Sequence, residues 1–277
     1  MHKWKAIIWT ILAAAGTAIA GNEGDGTYVI GVVPQFEASK LHAVWRPILD
    51  QVELKTGYKF KLRGSPSIPE FEREFIRGSF DFAYMNPYHL VMANKLAGYI
   101  PIVRDRGRML YGVLVVRKES DISSPSQLNG KSVAFPSPNA LGASLQMRQE
   151  LHDKFGVKTT PVYVKTHDSV YLNVLLGEVD AGGGVQKTLN RQKPAYRDAL
   201  RVIYTTTKVN PHPIAALPSV PQEVRDAVQQ AFVDLGKTEE GKKLLAKIPM
   251  KEVGPASVDD YQPLKEMGLE RFAVTTE

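Results

Sequence analysis

Residues 80–97 read FDFAYMNPYHLVMANKLA, and this stretch predicts a strand, a break and a helix in immediate succession. The strand ends at Met85, Asn86-Pro87 interrupts it, and a helix runs from Tyr88 to about Ala97. Ligands of open α/β sheets bind where a strand passes into a helix. Tyr88, at this junction, is therefore a candidate binding residue.

The same alternation of strand and helix patterns continues along the chain and predicts an α/β protein with open, mostly parallel sheets. The pattern begins afresh near Lys131, which indicates a second domain, and the last helices are expected to return to the first. We therefore predict a discontinuous first lobe, residues 21–112 plus 206–277, and a second lobe, residues 113–205. Two chain crossings and a cleft would separate them.

The N-terminal twenty residues differ from the rest. Lys3 and Lys5 precede an apolar run over residues 6–16, and Ala18-Ile19-Ala20 places small residues where signal peptidase cleaves. A membrane anchor is the alternative, but the run is shorter than the ~20 residues that a bilayer span requires. We predict a cleaved signal peptide over residues 1–20. Because the chain has no Cys to carry a lipid, we expect a soluble periplasmic protein.

Composition excludes several classes of protein. The chain has 277 residues, of which 43% are hydrophobic and 23% charged, so disorder, collagen and a disulfide-rich miniprotein are excluded. Without Lys3 and Lys5 the formal net charge falls from +6 to +4. That mild excess forms no Lys/Arg run, so we expect no nucleic-acid partner.

Catalytic and metal-binding motifs are also absent from the sequence. It contains no G-x-S-x-G, H-E-x-x-H, Walker or G-x-G-x-x-G motif, and its six His have no close ligand spacing. Tyr84 and Tyr88 could suggest a tyrosinate iron site, but its carboxylate and His partners cannot be placed. We therefore predict a protein that is not an enzyme and that carries no cofactor and no metal.

Three segments carry a resemblance to a known family. They read GSFDFAYMNPYHLVMA (78–93), YGVLVVRKESDISSPSQLNGKSVAF (111–135) and THDSVYLNVLLGEVDAG (166–182). In this order they resemble the phosphate/phosphite/phosphonate type of periplasmic solute-binding protein that feeds ABC importers. The resemblance implies a two-lobed type II periplasmic binding fold, a clamshell with two hinge crossings that closes over an oxyanion.

The resemblance also implies an anion-binding loop at the start of the second lobe's first helix. The matching segment is Pro138 to Gly142, which keeps the position of that loop but lacks its hydroxyl side chains. A helix N-terminus offers free N–H groups and a positive dipole end. Asn139 is predicted to cap this helix, and the small residues Gly142 and Ala143 to leave the approach to the anion open. Ala140 and Leu141 belong to the same candidate binding segment.

Other binding residues follow from the same resemblance. Tyr88 matches the family's aromatic residue at the first-lobe junction, and His167 matches the His of its His-Asp motif. Tyr84 lies either in the cleft or in the core, and His212, on the second crossing, either lines the cleft or belongs to the hinge. The run Gly182–Gly184 suggests a ligand contacted by backbone groups.

These observations predict a periplasmic solute-binding protein that captures a small oxyanion, of the phosphonate, phosphite or phosphate kind, in an interlobe cleft. Its partners would be that ligand and an ABC permease in the inner membrane, and we expect a monomer. The alternative is a sensory receptor of the same fold that reports ligand occupancy to a membrane signalling protein. Both uses share the same closing motion.

Overall fold

The computed structural model describes residues 26–34, 38–248 and 250–274, which form two β-sheets with helices packed on them. The predicted signal peptide, residues 1–20, lies outside the described residues. The first sheet contains β1 (Thr27–Val32), β2 (Lys59–Gly64), β3 (Phe82–Tyr84), β4 (Ile100–Asp105), β10 (Ile214–Ala216) and β11 (Val253–Pro255). The second contains β5 (Gly112–Arg117), β6 (Ser132–Phe135), β7 (Thr160–Tyr163), β8 (Ala181–Val185) and β9 (Leu200–Thr205).

Ten α-helices are found in the described part of the chain: α1 (Ala38–Thr56), α2 (Ile68–Ile76), α3 (Pro87–Ala97), α4 (Gln146–Phe155), α5 (His167–Leu176), α6 (Gln186–Asn190), α7 (Pro194–Asp198), α8 (Gln222–Leu235), α9 (Glu239–Leu245) and α10 (Gln262–Lys265). Short 3-10 helices occupy Pro125–Leu128, Val258–Tyr261 and Leu269–Arg271, and a π-helical turn occupies Leu141–Leu145. Among the helices that the structure describes, none is both long enough and apolar enough to cross a membrane.

The sheets are mixed rather than mostly parallel as predicted. Their strand orders are β11-β4-β10-β3-β1-β2 and β7-β6-β8-β5-β9. Strand β1 pairs in parallel with β2 and β3, and β6 with β7 and β8, while β5, β10 and β11 run antiparallel to their neighbours. Strands β5 and β10 each enter their sheet directly from a crossing, so they run against the strands that helices connect.

The strand, break and helix predicted from residues 80–97 are present, with a shorter strand. The side-chain oxygen of Asn86 accepts a hydrogen bond from His89 N at 2.8 Å, and Pro87 occupies the first turn of α3. Gly98, at φ +76°, ends the helix in the left-handed conformation. Local capping chemistry therefore places Tyr88 and His89 at the carboxyl end of β3 in the first sheet.

Two crossings connect the sheets, at residues 106–111 and 206–213. They pair with each other, because Leu110 N donates to Val209 O at 2.8 Å and Val209 N donates to Leu110 O at 2.9 Å. We call each sheet with its helices a lobe. Helices α8 and α9 pack into the hydrophobic core of the first sheet.

The segment after α10 adds a noncovalent link between the lobes. Arg271 Nη2 lies 2.7 Å from Asp153 Oδ2 on α4, and the ring of Phe272 packs edge-on against His152 at 5.6 Å. Val274 N donates to Asn139 Oδ1 at 3.0 Å. The C-terminal segment therefore contacts the second lobe at three side chains.

Glycines allow the π-helical turn to lie directly on the second sheet. A Cβ on Gly183 would overlap the carbonyl oxygen of Ala143, and a Cβ on Gly112 would overlap that of Gly142. The run Gly182–Gly184 is buried: Gly183 faces this turn, while Gly182 packs against Val170 and Val174 of α5 and Gly184 against Tyr171 of α5. Close packing accounts for these glycines, so no ligand contact is needed to explain them.

We expect Gly183→Ala to destabilise the protein, because the new methyl group must push the Ala143 backbone away. Overpacking of this kind lowers the free energy of unfolding by about 1–3 kcal/mol, measurable by urea unfolding. Gly64→Ala is the control, since a Cβ at Gly64 meets nothing within 4 Å. Equal stability of the two variants would contradict the prediction.

Candidate functional site

Tyr84 ends β3 with a buried ring and a hydroxyl that has no hydrogen-bond partner among the described residues. Its ring lies 5.0 Å from that of Trp45 and stacks on His212 at 5.4 Å. Burial raises the pKa of Tyr84, which keeps the phenol protonated. Tyr84 thus holds a buried O–H donor ready for a ligand.

The second lobe supplies two further buried polar atoms. Ser137 Oγ, just after β6, and His167 Nδ1, at the first residue of α5, have no partner within the described part of the chain. Thr166 caps α5 by accepting from Ser169 N at 3.0 Å, which fixes the position of His167. Burial lowers the pKa of His167 to about 4, with the Asp168 carboxylate opposing the shift.

Basic residues surround His212 in the second crossing. Burial lowers the pKa of His212 to about 3, and electrostatic repulsion from the protonated forms of His89, His167, Lys187 and Arg108 lowers it further. These four residues come from both lobes and from the first crossing. The interlobe region therefore concentrates groups that an anion would stabilise.

Lys187 shows the same excess of positive charge. Burial lowers its pKa to about 8, and the charges of Arg191 and Arg108 lower it further, while Asp105 acts in the opposite direction. A lysine whose pKa falls beside two arginines lies in a field that favours a bound anion.

Arg108 is held in place by a buried carboxylate. Its Nε lies 2.7 Å from Asp105 Oδ2. Asp105 also accepts from the backbone N–H groups of Gly107 at 2.9 Å and of Lys251 and Glu252 at 3.0 Å. These hydrogen bonds lower the pKa of Asp105 against the effect of its burial, so the carboxylate stays ionised and orients Arg108.

Asn139 does not cap its helix as predicted. Its Nδ2 donates to Glu72 Oε1 at 3.0 Å, to Glu72 Oε2 at 3.2 Å and to Val274 O at 2.9 Å. The π-helical turn begins after Ala140, which makes no side-chain cap. The amide of Asn139, only 3% exposed, instead joins α2 of the first lobe to the C-terminal segment.

Tyr88 and Leu141 belong to an apolar cluster where the lobes meet. We call it the interlobe cluster: Tyr88, Leu141, Leu145, Val209, Leu264 and Leu269. Tyr88 is 6% exposed, and its burial raises its pKa to about 12. Gly142 packs on Gly112 beside this cluster.

The predicted site residues therefore fall into two groups. Tyr84, His167 and His212 lie together with the cationic groups. Tyr88, Asn139, Ala140, Leu141 and Gly142 lie at the contact between the lobes. Their ligand contacts stay predictions. Sequence reasoning missed Arg108, Ser137 and Lys187; the charged loop at residues 104–108 was the one local signal.

We expect the free energy of unfolding to decrease as the pH is lowered from 6.5 to 5. In the unfolded chain a His has a pKa near 6.5 and takes up a proton as the pH falls below that value. In the folded protein the pKa of His167 is about 4 and that of His212 about 3, so both stay neutral over this range. Each of these histidines contributes a slope of about 1.4 kcal/mol per pH unit to the dependence of the free energy of unfolding on pH. Urea unfolding at several pH values should show a smaller slope for His167→Gln than for the wild type.

The exposed His42 gives the matched control. His42→Gln should keep the wild-type slope. If His167→Gln also kept it, His167 would not be buried in its neutral form.

Residues 30–261 match a family model described as the ABC transporter, phosphonate, periplasmic substrate-binding protein. The phosphate-import protein PhnD of Mycolicibacterium smegmatis is 23% identical over 228 residues, covering 74% of this chain and 71% of that protein.

Solved structures show the same architecture. A binding-protein component of an ABC phosphonate transporter from Pseudomonas aeruginosa has a TM-score of 0.78 at 18% identity, covering 89% of this chain and 87% of its own. PhnD1 from Prochlorococcus marinus, in complex with methylphosphonate, has a TM-score of 0.79 at 16% identity, covering 91% of this chain and 100% of its own. The two-lobed type II periplasmic binding fold predicted from the sequence is confirmed.

The family model spans most of the chain, and it describes a periplasmic substrate-binding component of an ABC transporter. Members of this family bind solutes and are not enzymes. Both predictions, of a solute-binding role and of a protein without catalytic activity, are confirmed by this match. The chain belongs to the family of periplasmic substrate-binding proteins of phosphonate ABC transporters.

Proposed function

We propose that this protein captures a compact oxyanion of the phosphonate, phosphite or phosphate kind between its lobes and delivers it to an ABC permease. One relative is a phosphate-import protein, and one structural neighbour was solved with methylphosphonate. Membership in a transporter family favours import over the sensory alternative. The observation that carries the proposal is the convergence near His212 of buried polar atoms that have no partner among the described residues with the cations Lys187 and Arg108.

The energetics of this arrangement favour an anionic ligand. The Tyr84 and Ser137 hydroxyls and His167 Nδ1 are buried without partners in the described residues, and each unsatisfied buried group costs about 1–3 kcal/mol. An oxyanion would satisfy several of them at once. Micromolar affinity requires about 8 kcal/mol, and three or four charge-assisted hydrogen bonds at about 1.5–3 kcal/mol each supply most of it.

In this proposal the two groups of residues play different parts. Tyr84, Ser137, His167 and His212 line the anion site, with Lys187 and Arg108 as its cations. Tyr88 and the segment 139–142 form the surface along which the lobes close. The lobes comprise residues 21–112 plus 206–277 and residues 113–205, with the paired crossings as the hinge. We also propose that the protein acts as a monomer.

Lys187→Ala should weaken binding of methylphosphonate, phosphite or phosphate by about tenfold or more, since it removes a charged partner worth about 1.5–3 kcal/mol. Tyr84→Phe should weaken it by about tenfold through the lost hydroxyl. Isothermal titration calorimetry measures both, after a thermal-shift screen has identified the anion that stabilises the wild type.

Exposed residues of the same types serve as controls: Lys118→Ala and Tyr196→Phe should bind as the wild type does. Wild-type protein that binds none of the three anions would contradict the proposed function. Unchanged affinity in both site variants would remove these residues from the site.

We also propose that residues 1–20 direct export and are removed after Ala20. The exported protein should then begin at Gly21 and lack the mass of the leader, which intact-mass spectrometry of the periplasmic fraction measures. Substituting Ala20 by a bulky residue should leave the precursor uncleaved. An exported protein that retains Met1 would contradict this proposal.

A further inference from the structure

His89 is a fully buried residue in the first turn of α3 that the sequence did not single out. Its ring packs beside Phe71 and Phe75, with centroid distances of 5.8 and 5.6 Å. Its Nε2 lies 3.0 Å from Glu72 Oε1. Its other ring nitrogen, Nδ1, is buried and has no hydrogen-bond partner in the part of the chain that the structure describes.

The partner of Nε2 fixes the chemistry of Nδ1. Glu72 accepts from Asn139 Nδ2 at both of its carboxylate oxygens, as an ionised acceptor does. An ionised carboxylate can only accept, so a neutral His89 ring carries its hydrogen on Nε2. In that tautomer Nδ1 presents a lone pair and acts as an acceptor.

His89 belongs to the neighbourhood of the proposed anion site. His89 N donates to Asn86 Oδ1 at 2.8 Å, and the preceding Met85 N donates to Pro213 O at 3.2 Å, next to His212, which stacks on Tyr84. The hydroxyls of Tyr84 and Ser137 can each turn a hydrogen towards an oxyanion, and Lys187 and Arg108 can only donate. His89 differs from them because the carboxylate on Nε2 leaves its Nδ1 able only to accept.

We propose that His89 Nδ1 accepts a hydrogen bond from a hydroxyl of the bound ligand, so that the protein selects a singly protonated oxyanion over an oxyanion without a hydrogen. This inference rests on the proposed function and names the ligand form that the site takes. Hydrogen methylphosphonate carries the required P–OH. Methanesulfonate has similar shape and charge, but all its oxygens only accept, so one of them would face the Nδ1 lone pair.

Calorimetric titration of the wild type with methylphosphonate and with methanesulfonate tests the selection. A site built for a ligand hydroxyl rejects an analogue that lacks it, so we expect at least about tenfold tighter binding of methylphosphonate. Equal affinity for the two ligands would overturn the proposal.

Glu72→Gln tests the role of Glu72 as the residue that positions the ring. The Gln amide can donate to Nε2, which allows the hydrogen to move to Nδ1 and turns this atom into a donor. The preference for methylphosphonate should then fall to less than about threefold or reverse. Glu70→Gln, on the exposed side of the same helix, should keep the wild-type preference. A preference unchanged in Glu72→Gln would overturn the proposal.

Nitrogen NMR of histidine-labelled protein gives a readout that a purely structural role would not move. The wild type should show His89 as the tautomer with hydrogen on Nε2, and the Nδ1 resonance should shift on addition of methylphosphonate and stay in place with methanesulfonate. Hydrogen on Nδ1 in the free protein would overturn the proposal even if methylphosphonate binds tightly. Failure of methylphosphonate, phosphite and phosphate all to bind would instead refute the proposed function, and the proposal with it.

Discussion

Basic groups gathered between the two lobes are the constraint around which this protein is organised. Burial keeps His167 and His212 neutral, and Lys187 and Arg108 lie close enough to disfavour further protonation. Proteins seldom bury cationic groups without a counter-ion, because desolvation is costly. Here Arg108 pairs with the Asp105 carboxylate, which also acts on Lys187, and in the proposed function an anionic cargo adds further negative charge.

Local sequence patterns predicted those parts of the molecule that local chemistry controls. Asn86-Pro87 predicted the strand-to-helix junction, because capping by Asn and the fixed φ of Pro act within the first helical turn. Three ordered segments indicated the family, and the structure places the candidates Tyr84, His167 and His212 in one region, while their ligand contacts stay predictions. Even so, the mixed sheets were missed, since strand direction depends on how the chain returns from the other lobe.

The residues that sequence reasoning missed are defined by partners far along the chain. Arg108 is oriented by Asp105, which also accepts from Lys251 N and Glu252 N, about 146 residues away. Asn139 looked like a helix cap because its type and position fit one, but its amide bonds to Glu72 and to Val274, 135 residues away. No local pattern records such contacts, so only tertiary structure assigns those roles.

The C-terminal segment has a mechanical consequence. Because Arg271, Phe272 and Val274 attach to the second lobe while α10 stays with the first, the lobes cannot separate about the paired crossings alone. Separation of the lobes must also break the contacts that this C-terminal segment makes with α4 and Asn139. Separation of the lobes is therefore coupled to local detachment of the C-terminal segment.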